Sequence, residues 1–274
     1  MRIIVNAISA NTGGIVTYTT NLIEYLGHMN LEAIIYVPRS FDPTQFRHPR
    51  ITVKPVPVKH FFGAIHRFLW EQIVWRGIVK DSGADILYSS ANYGVLFPPI
   101  SQVLLVQGEI YLNPVYREKV LPHLSWGEKF SAYMRRNLML YSARQSEVTI
   151  FPSEVALLSA LDYGPDIEKN SIVNYLAVNP RFKSSSLERK WGENGVLKLI
   201  YVSVFYPHKD PLTLAEATKI LNLRGLSSKT HITMEPDDFE PWPNCEGELE
   251  QLQSMEYSKF LTLGRVEHNE LNEV

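Results

Sequence analysis

A strand, a glycine pair and a helix follow one another within the first twenty-six residues, and no other feature constrains the chain as strongly. Arg2-Ile3-Ile4-Val5 is an apolar run of the length that makes a buried strand. In Ala10-Asn11-Thr12-Gly13-Gly14 the paired glycines let the backbone turn sharply and approach another group closely. Ile15, Tyr18, Leu22, Tyr25 and Leu26 then recur at three- and four-residue steps, the apolar face of an amphipathic helix. A helix N-terminus delivered by such a turn carries unpaired N–H groups and the positive end of the helix dipole, which suits a phosphate. The same arrangement can also serve the turn alone, as in any α/β protein.

The alternation continues downstream. Ala33 to Val37 reads as a second buried strand, closed by Pro38, and Ile51 to Val58, with Pro55 and Pro57, as an edge strand or extended connection. Phe61 to Val79 has helical apolar spacing; Asp85 to Tyr88 and Gln102 to Val106 are strands entering polar or glycine-containing loops. Trp126 to Gln145 is a long basic helix and Glu147 to Phe151 a strand. Ser153 then caps a helix beginning at Glu154, and Ile172-Val173 ends this half as a short strand. Repeated βα units of this size predict an α/β fold, a parallel sheet covered by helices on both faces.

A polar, serine-rich stretch predicts a break, with one domain over 1–183, a linker over 184–196 and a second domain over 197–274. Leu197 to Val204 restarts the pattern as a fresh strand, and Asp210 as N-cap with Pro211 at the first helical position starts a helix running to Leu223. His231 to Met234 and Phe260 to Leu263 are further strands, separated by an acidic segment from Glu235 to Glu256 that suits solvent. His268 to Val274 opens like a capped helix and stops within about two turns. The expectation is a second domain cut short.

At 274 residues and 45% hydrophobic, the chain can bury one large core or two ordinary ones. Its net charge of −2 argues against a dedicated nucleic-acid binder. Cys245 is the only cysteine, which excludes internal disulfides and thiolate metal sites. No apolar stretch is long enough to span a bilayer, and the first residues lack a secretory core, so a cytoplasmic protein is expected. Two basic, aromatic helical stretches, His60 to Lys80 and Trp126 to Arg144, could lie on an acidic membrane surface at its inner face. The simpler reading of both is a core-facing helix with a solvated basic edge.

With Gly13-Gly14 and Phe205-Tyr206-Pro207-His208-Lys209-Asp210-Pro211 both in view, the chain resembles family 4 glycosyltransferases of the GT-B fold. The resemblance also rests on Val148 to Glu154, on Asn179-Pro180-Arg181-Phe182 and on Leu263 to Leu271, in that order. It implies two Rossmann-like domains and a retaining transfer of a sugar from a nucleotide-sugar donor to a glycan, lipid-linked or small-molecule acceptor. Gly13, Gly14 and Lys209 would then bind the donor diphosphate from two walls of a cleft. Gln107 and Glu109, in the loop after the Gln102–Val106 strand, would be the catalytic-side groups, and Ser153 and Glu154 would line the acceptor cleft. Fixed donors and a cation aimed at the departing diphosphate are the largest help such a site can offer. No carboxylate or histidine cluster in the sequence demands a metal, so none is expected, and no other cofactor.

The chain departs from the family pattern at three points. Val204 stands where an arginine is usual before the lysine, and Gln107 stands where a histidine is usual. The family's paired glutamates would fall beyond Val274, so this stretch alone is expected to transfer little or no sugar. Ser153 has a simpler role as a helix cap, His208 as a structural or solvent-facing residue, and Lys209 and Glu109 as exposed loop residues. The competing function is a non-catalytic α/β binding or interaction module. A nicotinamide-dependent enzyme is disfavoured, because Gly13-Gly14 lacks the G-x-G-x-x-G spacing and the second strand runs into Pro38-Arg39 without an acidic residue.

Overall fold

A computed structural model describes residues 1–11, 13–44, 46–58, 63–90, 92–108, 110–114, 116–177, 195–206, 209–240 and 245–266. The chain divides into two compact units, Met1–Val178 and Asn179–Val274. Most of the expected linker, the expected C-terminal helix start, His208 and Glu109 lie outside the described residues.

The first unit is built on seven parallel strands: β1 (Arg2–Asn6), β2 (Glu32–Val37), β3 (Ile51–Pro55), β4 (Ile86–Ser89), β5 (Ser101–Leu105), β6 (Val148–Phe151) and β7 (Ser171–Val173). Their order is β3-β2-β1-β4-β5-β6-β7, so β3, with Pro55, is at the edge as expected. The apolar run of β1 explains its central place. Ile4 and Val5 are fully buried on opposite faces, in register with Ile34 and Leu87 and with Ile35 and Tyr88. The chain winds outward through β2 and β3, then returns to β4 on the other side of β1. That reversal is the switch point outside whose strand ends open α/β sheets bind ligands.

Helix α1 (Gly14–His28) covers one face, with Ile23 and Leu26 packed on Val5, Ala33 and Ile35. The opposite face takes α2 (Gly63–Trp70), α3 (Arg76–Asp81), α4 (Trp126–Arg144) and α5 (Glu154–Leu161). The expected single helix from Phe61 to Val79 is described from Gly63 and is interrupted by a π-helical turn, Glu71–Trp75. Residues five apart share a side only where the helix widens. The widening lets Trp70 and Trp75 both bury, their rings 6.4 Å apart, with Tyr36 meeting Trp75 edge-on at 5.0 Å.

The second unit has three parallel strands, β8 (Leu197–Tyr201), β9 (Ser228–Ile232) and β10 (Leu261–Leu263), in the order β10-β9-β8. Helices α6 (Pro211–Leu223) and α7 (Glu246–Leu252) contribute Ala215 and Leu252 to a core with Ile232 and Leu261. β9 begins three residues before the expected His231, because its inward residues Ser228 and Thr230 are polar. Thr218 Oγ1 and Thr230 Oγ1 share a hydrogen bond of 2.6 Å, and Asn222 Nδ2 donates to Ser228 O at 2.9 Å. The acidic segment keeps its carboxylates mostly outward, yet it buries Phe239 and Leu252, and Phe239 stacks on Phe205 at 3.8 Å.

Candidate functional site

The loop after β1 is held from below and open above. Asn6, buried at the strand end, accepts at Oδ1 from the Ile8 amide at 3.2 Å. Beneath it the buried Glu71 carboxylate is hydrogen-bonded by Asn6 and by Arg67 Nε at 3.0 Å. Burial pushes the Glu71 carboxyl above the usual range, against the pull of Arg67 and these hydrogen bonds.

Gly13 sits at φ 67° and ψ −151°, a conformation in which a side chain is strained, and starts α1 without a side-chain cap or an acidic first turn. The Val16 amide already bonds Gly13 O at 3.0 Å. The Gly14 and Ile15 amides have no partner among the described residues. A Cβ added at Gly13 or Gly14 would meet nothing within 4 Å. Among the described residues, the positive end of this fifteen-residue helix is therefore uncapped and open. Nearby on the same loop, the buried Ser9 hydroxyl also lacks a partner among the described residues.

The loop after β5 is tied to the loop after β4 by a residue that sequence reasoning missed. Asn92, at a left-handed φ of 60°, accepts at Oδ1 from the amides of Gln107 and Gly108, both at 2.8 Å. A Cβ at Gly108 would lie 3.0 Å from Asn92 Nδ2, so the asparagine side chain would have to shift by a few tenths of an ångström to admit one. The only available signal was an asparagine in a polar loop after a strand, since asparagine tolerates the left-handed region. Gln107 is half-buried, and its Nε2 is a buried donor with no partner among the described residues. Such a donor is costly unless something else receives it. Tyr93, next to Asn92, has its hydroxyl pushed up to about 12 by burial.

The other expected residues fall as follows. Ser153 accepts from the Ala156 amide at 3.1 Å as the cap of α5, and Glu154 is exposed in the first turn of that helix. Gly13, Gly14, Gln107, Ser153 and Glu154 thus all follow the carboxyl ends of β1, β5 and β6. β1 and β5 are two strands apart, about 10 Å. In the second unit, the Lys209 backbone is pinned on both sides. Its amide donates to Tyr206 O at 2.8 Å, and Tyr201 Oη donates to its carbonyl at 2.6 Å. Its ammonium has no ion pair among the described residues. Asp210, at φ 45°, caps α6 by accepting from the Thr213 amide at 3.2 Å and the Thr213 hydroxyl at 2.7 Å. Val204 is 47% exposed and offers no charge beside this loop.

No protein-family model and no curated protein matches the chain. Solved structures do. A glycosyltransferase from Rickettsia africae ESF-5 superposes with a TM-score of 0.61 at 12% identity, over 99% of this chain and 70% of that one. A UDP-GlcNAc 2-epimerase from Neisseria meningitidis, bound to UDP-GlcNAc, gives 0.52 at 10% identity, over 100% and 75%. A ugt transferase from Siraitia grosvenorii, in complex with UDP, gives 0.52 at 9% identity, over 97% and 71%. At these identities the likeness is one of fold: the chain has the α/β architecture of GT-B proteins, with Rossmann-like units.

Proposed function

We propose that this chain binds a nucleoside diphosphate sugar and belongs to the transfer of that sugar to an acceptor. The observation that carries the reading is the uncapped, open N-terminus of α1 at the switch point of the sheet, where two amides are free to meet an anion. The UDP and UDP-GlcNAc held by two of the similar structures support a diphosphate as that anion.

In the transfer the bond between the anomeric carbon and the diphosphate oxygen breaks, and negative charge grows on the leaving diphosphate. The Gly14 and Ile15 amides stabilise that charge in place, and Lys209 supplies the cation. The Gln107 Nε2 donates to a sugar hydroxyl, and the acceptor hydroxyl loses its proton as its oxygen bonds the anomeric carbon on the face that the diphosphate leaves, which keeps the configuration. Glu109 is assigned to receive that proton, with Ser153 and Glu154 on the acceptor side. Retention of configuration and family 4 membership rest on the sequence resemblance alone, and the domain bounds 1–183 and 197–274 on the polar, serine-rich stretch between them. No metal or other cofactor enters this reading.

Calorimetric titration of the whole chain with UDP, GDP and their sugars tests it. Binding of one diphosphate nucleotide is expected, unchanged by EDTA and weakened about tenfold by Lys209→Ala. Absence of binding by every nucleotide would overturn the reading in favour of a non-catalytic interaction module. Epimerisation of UDP-GlcNAc, followed by proton NMR, would replace transfer with the chemistry of the epimerase it resembles.

A further inference from the structure

The first half of α4 is a helix without a core. Between Trp126 and Arg136 only Ala132 is buried, whereas Met139, Leu140, Ser142 and Ala143 are buried in the second half. The core-facing reading of this helix therefore holds only from Met139 onward. What the first half displays is apolar: Trp126 is 84% exposed, Phe130 57%, Tyr133 55% and Met134 41%. Their spacing places all four within about 100° of the helix circumference. The display is built rather than frayed, because a reciprocal capping box between Ser125 and Glu128 holds the helix up to Trp126.

Cations border this stripe. Lys129 and Arg136 lie along one margin, and Arg136 is fixed there with its guanidinium 4.2 Å from the Tyr163 ring centre. Residues 110–144 carry six basic residues against two acidic ones, in a chain whose net charge is −2. The stripe continues at Tyr141, which meets the exposed Phe97 ring edge-on at 6.3 Å. A Trp-led apolar face with a cationic margin and a polar far side matches a helix lying in the headgroup layer of an anionic bilayer. The rings sit at the hydrocarbon boundary and the cations meet lipid phosphates.

We infer that the Trp126 face of α4 docks this protein onto an anionic membrane surface. The inference is independent of nucleotide binding, and its test does not use it. The whole chain is sedimented with vesicles of phosphatidylcholine alone and with vesicles of equal parts phosphatidylcholine and phosphatidylglycerol, while tryptophan emission is followed. Binding to the mixed vesicles is expected, with a blue shift that Trp126→Phe removes, and the binding weakens as salt rises.

Trp126→Ala with Phe130→Ala lowers the partition coefficient at least about tenfold. Lys129→Gln alone lowers it about fivefold. Trp126 and Phe130 are exposed, Lys129 is half-buried with its Nζ donating to Pro122 O at 2.9 Å, a bond the glutamine amide can also donate, and an unchanged circular dichroism spectrum verifies the fold. Three results would overturn the inference. One is no binding at low salt, and another is equal binding to both vesicle types. The third is a dimer in sedimentation velocity that the double variant dissociates, which would make a second copy the occupant of this face.

Discussion

The helices that follow β1 and β8 begin in opposite ways, although each follows the first strand of its unit. α6 is closed: the Asp210 carboxylate receives both the amide and the hydroxyl of Thr213, so the positive end of that helix already holds an anion of the chain's own. α1 is open: Gly13 has no side chain to offer, no acidic residue follows in the first turn, and nothing lies within 4 Å of where a Cβ would point. Two strand–loop–helix units of one kind therefore provide different things. The first presents backbone donors to an outside anion. The second satisfies its own helix and presents the adjacent Lys209 side chain from a backbone pinned by Tyr201 and Tyr206.

The most direct way to break this contrast is to close α1 as α6 is closed. Gly14→Asp puts a carboxylate in the first turn of α1, where the φ is not in the left-handed range and the space is open. UDP affinity should fall at least about thirtyfold by calorimetry, because like charges meet at the site. The fold should gain about 0.5 kcal/mol in thermal or urea unfolding from the helix dipole. Opposite signs for binding and stability are the signature. An affinity unchanged by this substitution would mean that the open end of α1 is not where the diphosphate goes.

Lys209→Ala ranks next, at about 1.4 kcal/mol of binding and no measurable stability change, since its ammonium has no partner to lose among the described residues. Asp210→Ala acts the other way. Removing the cap should lower unfolding free energy by about 1 kcal/mol, read from urea titration, and leave UDP affinity alone. A several-fold gain in affinity instead would show that the closed end of α6 is an anion site held off by its own cap, and the contrast would fail.

The contrast was partly visible in the sequence because caps are local. Asp210-Pro211 and Ser153-Glu154 announce helix starts within four residues, and Gly13-Gly14 announces a turn. The central strands were visible for a similar reason. Ile4, Val5, Leu104 and Leu105 are buried on both sheet faces and so form apolar runs. What stayed hidden depends on partners far along the chain. Asn92 orders the Gln107 loop across fifteen residues, and the polar inward face of β9 is satisfied from α6. The exposure of α4 was hidden too, since spacing gives an apolar face but not whether anything covers it.

The smallest expected effect concerns what holds the two strand ends in place. The end of β8 rests on neutral groups: the Ser203 amide donates to Thr233 Oγ1 at 3.0 Å, and Thr233 Oγ1 lies 3.3 Å from Tyr201 O. The end of β1 rests on Asn6 and the buried Glu71 carboxylate, whose folded pKa is raised by burial. For a carboxyl raised on folding, the native state binds the proton more tightly, so its contribution is fully present below the unfolded value of about 4.5 and is lost as pH rises through the folded value. Glu71→Gln keeps an acceptor for Arg67 and Asn6 and removes the ionisation. It should match the parent in thermal stability at pH 4 and exceed it modestly at pH 7.5, with the gap opening between those limits. If the variant is instead the less stable one at pH 7.5, the ionised Glu71–Arg67 pair outweighs its desolvation, and the β1 end is held by a working ion pair rather than by a carboxyl that resists charging.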